Sequence, residues 1–415
     1  MEILVLSNGH GEDQIAAPIV EALQTFPTVS RIVALPLVGE GYVYQKLNIP
    51  IIGTVKTMPS GGFNQNPGQL WRDVQGGLLA LTYHQYQTIR QWGKTGGKIL
   101  AVGDIVPLFL AWLSGADYSF VGTAKSEYYL RDETGWLPST SNLYRWLGSM
   151  YFPWERWLMT RPNCRGVFPR DTLTTKILQQ WKIPVFDLGN PMMDGLSLSQ
   201  PLTVNLTTNP LIILLLPGSR MPEAQRNWQI ILEGVQAVIK AFSSQSIIFL
   251  AAIAPSLNLT PFQQNLMADG WIFQPSGSIP LDLQDAEALT FTQNNATLIL
   301  TQQAYRNCLQ LAQVGMAMAG TATEQFVGLG KPALTFPGEG PQFTPRFARS
   351  QNCLLGCSVT LVDTPKQAGN ILMTLLNHPQ KLQQIAENGR KRLGNPGAGA
   401  RIAECLVKQC FRYLD

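Results

Sequence analysis

The chain is short of charge. Only 14% of its 415 residues are Asp, Glu, Lys or Arg, and 31 basic against 27 acidic groups leave a formal net charge of +4. That is no basic surplus of the kind that tracks a phosphate backbone, so no nucleic-acid partner is expected. Long apolar runs are missing too. Leu211–Leu216 and Ile247–Ala254 are the longest, far below the roughly 20 residues of a membrane span, which points to a soluble or peripheral protein. The cysteines (Cys164, Cys308, Cys353, Cys357, Cys405, Cys410) form no CxxC pair and no zinc spacing. They read as free thiols of a reducing cytoplasm. There is no Asp-x-Asp triplet and there are only 3 histidines, so no metal site is expected. Met1–Leu6 reads as a strand rather than a secretion signal.

What is present is aliphatic sequence cut at intervals by glycine, and at this length two domains are expected. The most informative stretch is Met316–Gly340, MAMAGTATEQFVGLGKPALTFPGEG. A buried strand ends at Ala319 and runs into Gly320-Thr321-Ala322-Thr323-Glu324, where Thr321 or Thr323 is expected to cap a helix through Leu329. Gly330-Lys331-Pro332 ends that helix and Ala333–Phe336 starts another strand. A Gly-rich turn at a helix start offers backbone N–H groups and the positive end of the helix dipole, which suits a nucleotide diphosphate. Glu324 in the first turn is placed to accept hydrogen bonds from a ribose. The same residues also fit an ordinary capped helix.

The first half opens in the same way. Glu2–Leu6 is a strand, Ser7-Asn8-Gly9-His10-Gly11-Glu12-Asp13 a loop, and Gln14–Thr25 a helix. Only Gly9 and Gly11 are present, so this is not the dinucleotide GxGxxG. Further units are Arg31–Leu37, Pro50–Gly53, a loop over Met58–Gly68, a helix over Gln69–Trp92, and the strand Lys98–Gly103 ending in Asp104. Ligands of open α/β sheets sit at the carboxyl ends of strands, and both His10 and Asp104 fall there. His10 between two glycines is a candidate general base at a loop tip, with Asp104 the alternative. The structural readings are a loop-capping histidine and an N-cap on Ile105–Leu113. Asn8, Gly9 and Gly11 are assigned to an acceptor loop.

Leu143–Arg165, LYRWLGSMYFPWERWLMTRPNCR, interleaves aromatics with arginines and holds one acid, Glu155. Trp154, Arg156, Trp157 and Arg161 are expected to meet a membrane–water interface, with a core helix as the alternative. Val167–Asp171 and Val185–Pro191 read as two more strand–turn units, and Met192–Val204 as an interdomain linker.

In the second half the strand Leu211–Leu216 empties into Pro217-Gly218-Ser219-Arg220. Gly218, Ser219 and Arg220 form a candidate anion site, with the guanidinium forking onto a diphosphate. A helix over Asn227–Phe242 follows, then strands at Ser246–Ala254, Trp271–Phe273 and Thr297–Leu300. A short helix over Asn307–Val314 comes next, and the chain closes with helices at Gln367–Asn377, Pro379–Gly389 and Gly397–Tyr413. The alternation predicts two Rossmann-like doubly wound α/β domains facing a central cleft. They span 1–195 and 205–396, with 397–415 crossing back to the first.

These motifs, in this order, resemble lipid-A-disaccharide synthase and its relatives of the two-Rossmann (GT-B) glycosyltransferase class, and among them the related proteins of cyanobacteria. Leu215-Leu216-Pro217-Gly218-Ser219-Arg220 is similar to that family's Leu-Leu-Pro-Gly-Ser-Arg. Gly320–Glu324 with Gly330-Lys331-Pro332 resembles its Ser-Gly-Thr-Ala-x-x-Glu…Lys-x-Pro block. Gly397–Ala403 resembles its Gly-Ala-x-x-Arg-Ile-Ala. The first loop departs from the family by carrying a histidine, as the peptidoglycan lipid glycosyltransferase does. The resemblance implies inverting transfer of a sugar from a UDP-sugar to a lipid acceptor, with His10 or Asp104 as base and no metal or other cofactor. It also implies a location at the cytoplasmic face of the membrane. Two other readings stand beside it. One is a UDP-sugar epimerase, which the few acids near the first-half strand ends argue against. The other is a non-catalytic nucleotide-sugar or lipid-binding protein.

Overall fold

Uninterrupted aliphatic strands such as Ile3–Leu6 and Leu211–Leu216 have no polar face to show to water, so they demand cover on both sides, as strands of parallel sheets do. The computed structural model describes residues 1–56, 77–197, 210–275, 281, 283–340 and 343–411. In it, two compact units each hold one such sheet: Met1–Asp194 with Gly394–Asp415, and Gly195–Leu393.

The first unit runs β1 (Glu2–Ser7), α1 (His10–Gln24), β2 (Arg31–Pro36), α2 (Tyr42–Lys46), α3 (Leu78–Lys94), β3 (Lys98–Gly103), α4 (Ile105–Leu113) and β4 (Tyr118–Gly122). A small hairpin of β5 (Arg131–Asp132) and β6 (Gly135–Trp136) follows, then α5 (Asn142–Leu147), α6 (Pro153–Met159), β7 (Cys164–Phe168) and α7 (Thr172–Leu178). The sheet order is β2-β1-β3-β4-β7, parallel throughout.

The second unit runs β8 (Leu211–Leu216), α8 (Glu223–Ala241), β9 (Ile247–Ala252), α9 (Thr260–Ala268), β10 (Ile272–Phe273), β11 (Leu289–Gln293), β12 (Ala296–Thr301) and α10 (Tyr305–Leu311). It continues with β13 (Val314–Ala317), α11 (Thr321–Gly328), β14 (Ala333–Thr335), α12 (Pro345–Leu355), β15 (Val359–Leu361), α13 (Ala368–Leu376) and α14 (Pro379–Leu393). Its order is β10-β11-β12-β9-β8-β13-β14-β15, with β11 alone running antiparallel to both its neighbours, β10 and β12. Trp228, Phe249, Phe262, Phe291 and Phe336 fill its core.

The last helix, α15 (Ala398–Cys405), belongs to the first unit and packs on α1. Contact is close: a Cβ on Gly399 would lie 2.7 Å from the carbonyl carbon of Pro18. The Asp194 carboxylate caps α15 by accepting from the amides of Gly397, Ala398 and Gly399 at 2.6, 3.1 and 2.7 Å.

Several elements differ from the sequence reading. The first helix starts at His10 rather than Gln14, because Gly9 adopts φ 147°, ψ 178°, a conformation open in practice only to glycine, and turns the chain at once into the helix. Val185–Pro191 makes a single bridge, Val185 with Val167, since the prolines at 184 and 191 leave few donors for a ladder. β11 was not read from the sequence, although Asn294, at φ 51°, marks the turn of its hairpin with β12. Met192 and Met193 are buried in a short 3-10 turn rather than in a linker. The final helix gives way to a π-helical turn, Leu406–Cys410. The loop Met58–Gly68, the start of the helix expected at Gln69, the linker beyond residue 197 and Tyr413 lie outside the described residues.

Candidate functional site

A doubly wound sheet binds ligands where successive crossovers leave in opposite directions, at the carboxyl ends of the two strands on either side. In the second unit those strands are β8 and β13, neighbours in register at Leu216 and Ala317. The two motifs singled out in the sequence are the loops that leave these two strands, and the Met318 amide binds the Leu216 carbonyl at 2.8 Å. Gly218 takes φ +104°, and a Cβ there would stand 3.3 Å from the Met318 carbonyl oxygen. Ser219 and Arg220 are exposed.

Beside them Gly320 is the N-cap of α11, with no side chain capping it. Neither threonine caps the helix. Thr321 is its first residue and exposed, while buried Thr323 turns its hydroxyl back to donate to the Ala319 carbonyl at 2.6 Å. Glycine reaches the N-cap conformation unaided, which frees the hydroxyl for that bond. Ala322 is half-buried and Glu324 is 8% exposed.

Sequence reasoning missed the residues beneath this surface. Buried Asn227 on α8 donates from Nδ2 to the carbonyls of Pro217 and Met318, at 3.0 and 3.3 Å. Buried Gln351 on α12 donates from Nε2 to those of Ala319 and Gly320, at 2.9 and 3.2 Å. The Glu223 carboxylate accepts from the Phe343 amide and fixes the loop after β14. No local pattern marks these residues, because each acts across 10 to 120 positions.

In the first unit the corresponding neighbours are β1 and β3. Their loops carry Asn8–Asp13 and Asp104. His10 is exposed at the first position of α1 and so does not stand at a loop tip. A Cβ on Gly11 would meet nothing within 4 Å, and one on Gly103 would approach Asn8 Cβ at 3.2 Å and Glu12 Cγ at 3.4 Å. Asn8, Glu12 and Asp104 therefore gather at one point. Asp104 is the N-cap of α4, its Oδ1 accepting from the Val106 amide at 2.9 Å. Burial raises its carboxyl above the usual range, opposed by the Val106 amide, Lys125 and the Asn8 side chain.

Asp13, on the inner face of the first turn, accepts from the Ser7 hydroxyl at 2.5 Å, and Tyr44 donates to Ser7 at 2.8 Å. Burial pushes Asp13 up to about 7, with Ser7 opposing and Glu12 adding.

More acids lie at the ends of β4 and β7 than the sequence reading allowed. Lys125 pairs with Glu155 and sits 4.4 Å from the centre of the Phe152 ring. Glu127 accepts from Ser149 and the Met150 amide and pairs with Arg131 at 2.9 Å. Asp171 caps α7 through the Thr174 amide at 2.7 Å. Burial raises both Glu127 and Asp171. Among the described residues no three or more His, Cys, Asp or Glu are grouped to hold a metal.

The aromatic segment divides by helix phase. Trp154 and Trp157, one turn apart on α6, are 58% and 45% exposed, and Trp146 on α5 is 81% exposed. Trp157 meets Trp112 at 5.3 Å between ring centres, Trp112 meets Phe109 of α4 at 5.7 Å, and the Arg161 guanidinium lies 4.1 Å over Trp157. Arg156 corrects the expectation. It is buried, stacks 4.0 Å over Trp181 and donates to the Leu147 carbonyl at 3.0 Å, because its helical phase is the inward one. Arg165 pairs with Asp117 at 2.9 Å. Among the described residues no helix is long and apolar enough to cross a membrane.

No protein-family model matches the chain, and no curated protein matches it in sequence. Solved structures do match in shape. UDP-GlcNAc 2-epimerase from Neisseria meningitidis, solved bound to UDP-GlcNAc, aligns with a TM-score of 0.57 at 17% identity, over 99% of this chain and 100% of that one. MnaA from S. aureus, solved with UDP, aligns at 0.57 and 13% identity, over 98% and 95%. MurG from Acinetobacter baumannii aligns at 0.52 and 14% identity, over 97% and 98%. Identities this low speak for the fold alone. The chain has the GT-B fold, two Rossmann-like α/β units, as its motifs implied.

Proposed function

We propose that the protein is a UDP-sugar enzyme. The observation that carries this reading is the pairing, at the β8/β13 switch point, of the Pro217–Arg220 loop with the start of α11. Arg220 and the first-turn amides of α11 neutralise the diphosphate, and Glu324 takes the ribose. The groups assigned to proton transfer belong to the first unit: Asp104, held by Asn8 and the Val106 amide, and His10 at the first position of α1.

Of the reactions open to such an enzyme, epimerisation of the UDP-sugar is favoured. It needs acids to lift a proton from a sugar carbon and return one on the other face. Asp104 and Glu12 stand together at the β1/β3 ends, where the sequence alone suggested few, with Asp13 buried next to Glu12 and bonded to Ser7. One of the three similar structures described above is a UDP-GlcNAc 2-epimerase solved with UDP-GlcNAc, and another is solved with UDP. Glycosyl transfer to a lipid acceptor is the second reading. It is favoured by the exposed face of Phe109, Trp154, Trp157 and Arg161 and by the motif resemblance to lipid-A-disaccharide synthase. The enzyme then works on the cytoplasmic leaflet.

Incubation with UDP-GlcNAc in deuterated water, without acceptor, separates the two. An epimerase changes the sugar and leaves deuterium on the inverted carbon. A transferase leaves the sugar unchanged until a lipid acceptor is added. No binding of UDP or UDP-GlcNAc in a thermal-shift titration defeats both readings; at 100 times its dissociation constant a ligand adds about 2.7 kcal/mol.

A further inference from the structure

The loop from Met318 to Gly320 has an uneven hydrogen-bond pattern. Every one of its carbonyls is drawn into the protein. Met318 O accepts from Asn227 Nδ2, Ala319 O from Thr323 Oγ1 and Gln351 Nε2, and Gly320 O from Gln351 Nε2 and the amides of Thr323 and Glu324. Across the switch point the Pro217 carbonyl is held by the same Asn227 amide group. The amides of Gly320, Thr321 and Ala322, by contrast, find no backbone acceptor among the described residues. Peptide units point their N–H and C=O in opposite directions, so fixing the carbonyls inward aims the N–H groups outward.

Two buried primary amides do most of this, and both are used in one sense only. Asn227 and Gln351 are 1% and 2% exposed, their NH2 groups bind carbonyls, and the oxygens Asn227 Oδ1 and Gln351 Oε1 have no partner among the described residues. Leaving a buried acceptor unmatched costs about 1–3 kcal/mol. A fold selected for stability alone would put an apolar side chain or a fully matched one at each position.

We infer that Asn227 and Gln351 are positioning residues for an anion cradle. They hold the loops after β8 and β13 with amides facing out, and so set the affinity for the diphosphate of the nucleotide without touching it. This rests on the UDP-sugar reading above and specifies which part of the ligand the buried amides govern.

The test compares ligands that differ by one phosphate. Wild type, Asn227→Leu and Gln351→Met are titrated calorimetrically with UDP, UMP and inorganic pyrophosphate, and their melting temperatures recorded. Leu keeps the branching of Asn and Met the length of Gln, while each substitution removes the whole amide, both the donors to the loop carbonyls and the oxygen. The expected result is a fall of about tenfold in UDP and pyrophosphate affinity for each variant. UMP affinity stays within about twofold, so the UDP-to-UMP preference collapses. The two variants act at separate helices, so one that fails to fold leaves the other to decide. Equal losses for UDP and UMP, or an unchanged UDP-to-UMP ratio in a folded variant, overturn the inference and leave the UDP-sugar reading standing. Failure of wild type to bind either UDP or pyrophosphate overturns both.

Discussion

Asp13 is held between the Ser7 hydroxyl and the body of its sheet, with Tyr44 behind Ser7 and Glu12 next in the chain. In the folded protein its carboxyl is raised from 3.8 to about 7. The unfolded chain therefore gives up this proton first as pH rises, and each released proton favours unfolding. Stability is fullest below about 4, declines between about 4 and about 7 by up to ~1.4 kcal/mol per pH unit, and levels off above. Asp13→Asn keeps an acceptor for Ser7 and cannot ionise. Thermal melts at pH 5 and pH 8 should show the variant gaining on wild type at pH 8, where the buried carboxylate is charged. Parallel pH profiles would mean that Asp13 ionises like an exposed acid. In the sequence the residue reads only as the last of the loop Ser7–Asp13. Its burial follows from the helix beginning four residues early, at His10, and that follows from one glycine at φ 147°.

At the scale of elements, the readable parts were those whose chemistry is local. Gly218-Ser219-Arg220 after an aliphatic strand, and Gly320 before a helix, mark the end of β8 and the start of α11 because glycine acts on the backbone where it stands. The acid cluster was not readable. Glu127 and Glu155 come from distant parts of the long β4–β7 connection and Asp171 from the loop after β7, and only the pairing of β4 with β7 brings them to one edge. Arg156 was misplaced because aromatics surround it in sequence, and only the phase of the short helix α6 decides which of them face in.

The contact of α15 with α1 makes a sharper case. Gly399→Val places a side chain where a single Cβ already lies 2.7 Å from the Pro18 backbone. Overpacking against a rigid proline should cost roughly 1–3 kcal/mol. Urea denaturation followed by fluorescence should show a lower midpoint for the transition of the first unit, with an unchanged slope. A wild-type midpoint would mean that α15 shifts without cost.

At the scale of the whole molecule, the lipid-acceptor reading proposed above makes the exposed aromatic face a membrane-docking surface. With Arg156 buried and Arg165 paired to Asp117, the basic contribution falls to Arg145 and Arg161, at about 1 kcal/mol each near an anionic surface. Attachment should therefore depend on the rings as much as on charge. In flotation with anionic liposomes at low salt, wild type should rise with the lipid. A Phe109→Ser, Trp154→Ser, Trp157→Ser variant should stay in the dense fraction while keeping its melting temperature. Equal flotation of the two would return this face to a role unconnected with lipid.

The cap on α15 bears on how the chain comes to be folded at all. Asp194 is the last residue of the first unit before the chain departs, and its partners, the amides of Gly397 to Gly399, are the first to be met on return. The second unit is contiguous and can assemble as soon as it leaves the ribosome. The first cannot close until residues 195–393 have been made, because α1 waits with an uncovered face for a helix that follows the second unit. During synthesis the earlier unit is thus the later structure, and residues 1–194 are the stretch longest exposed to chaperones and proteases.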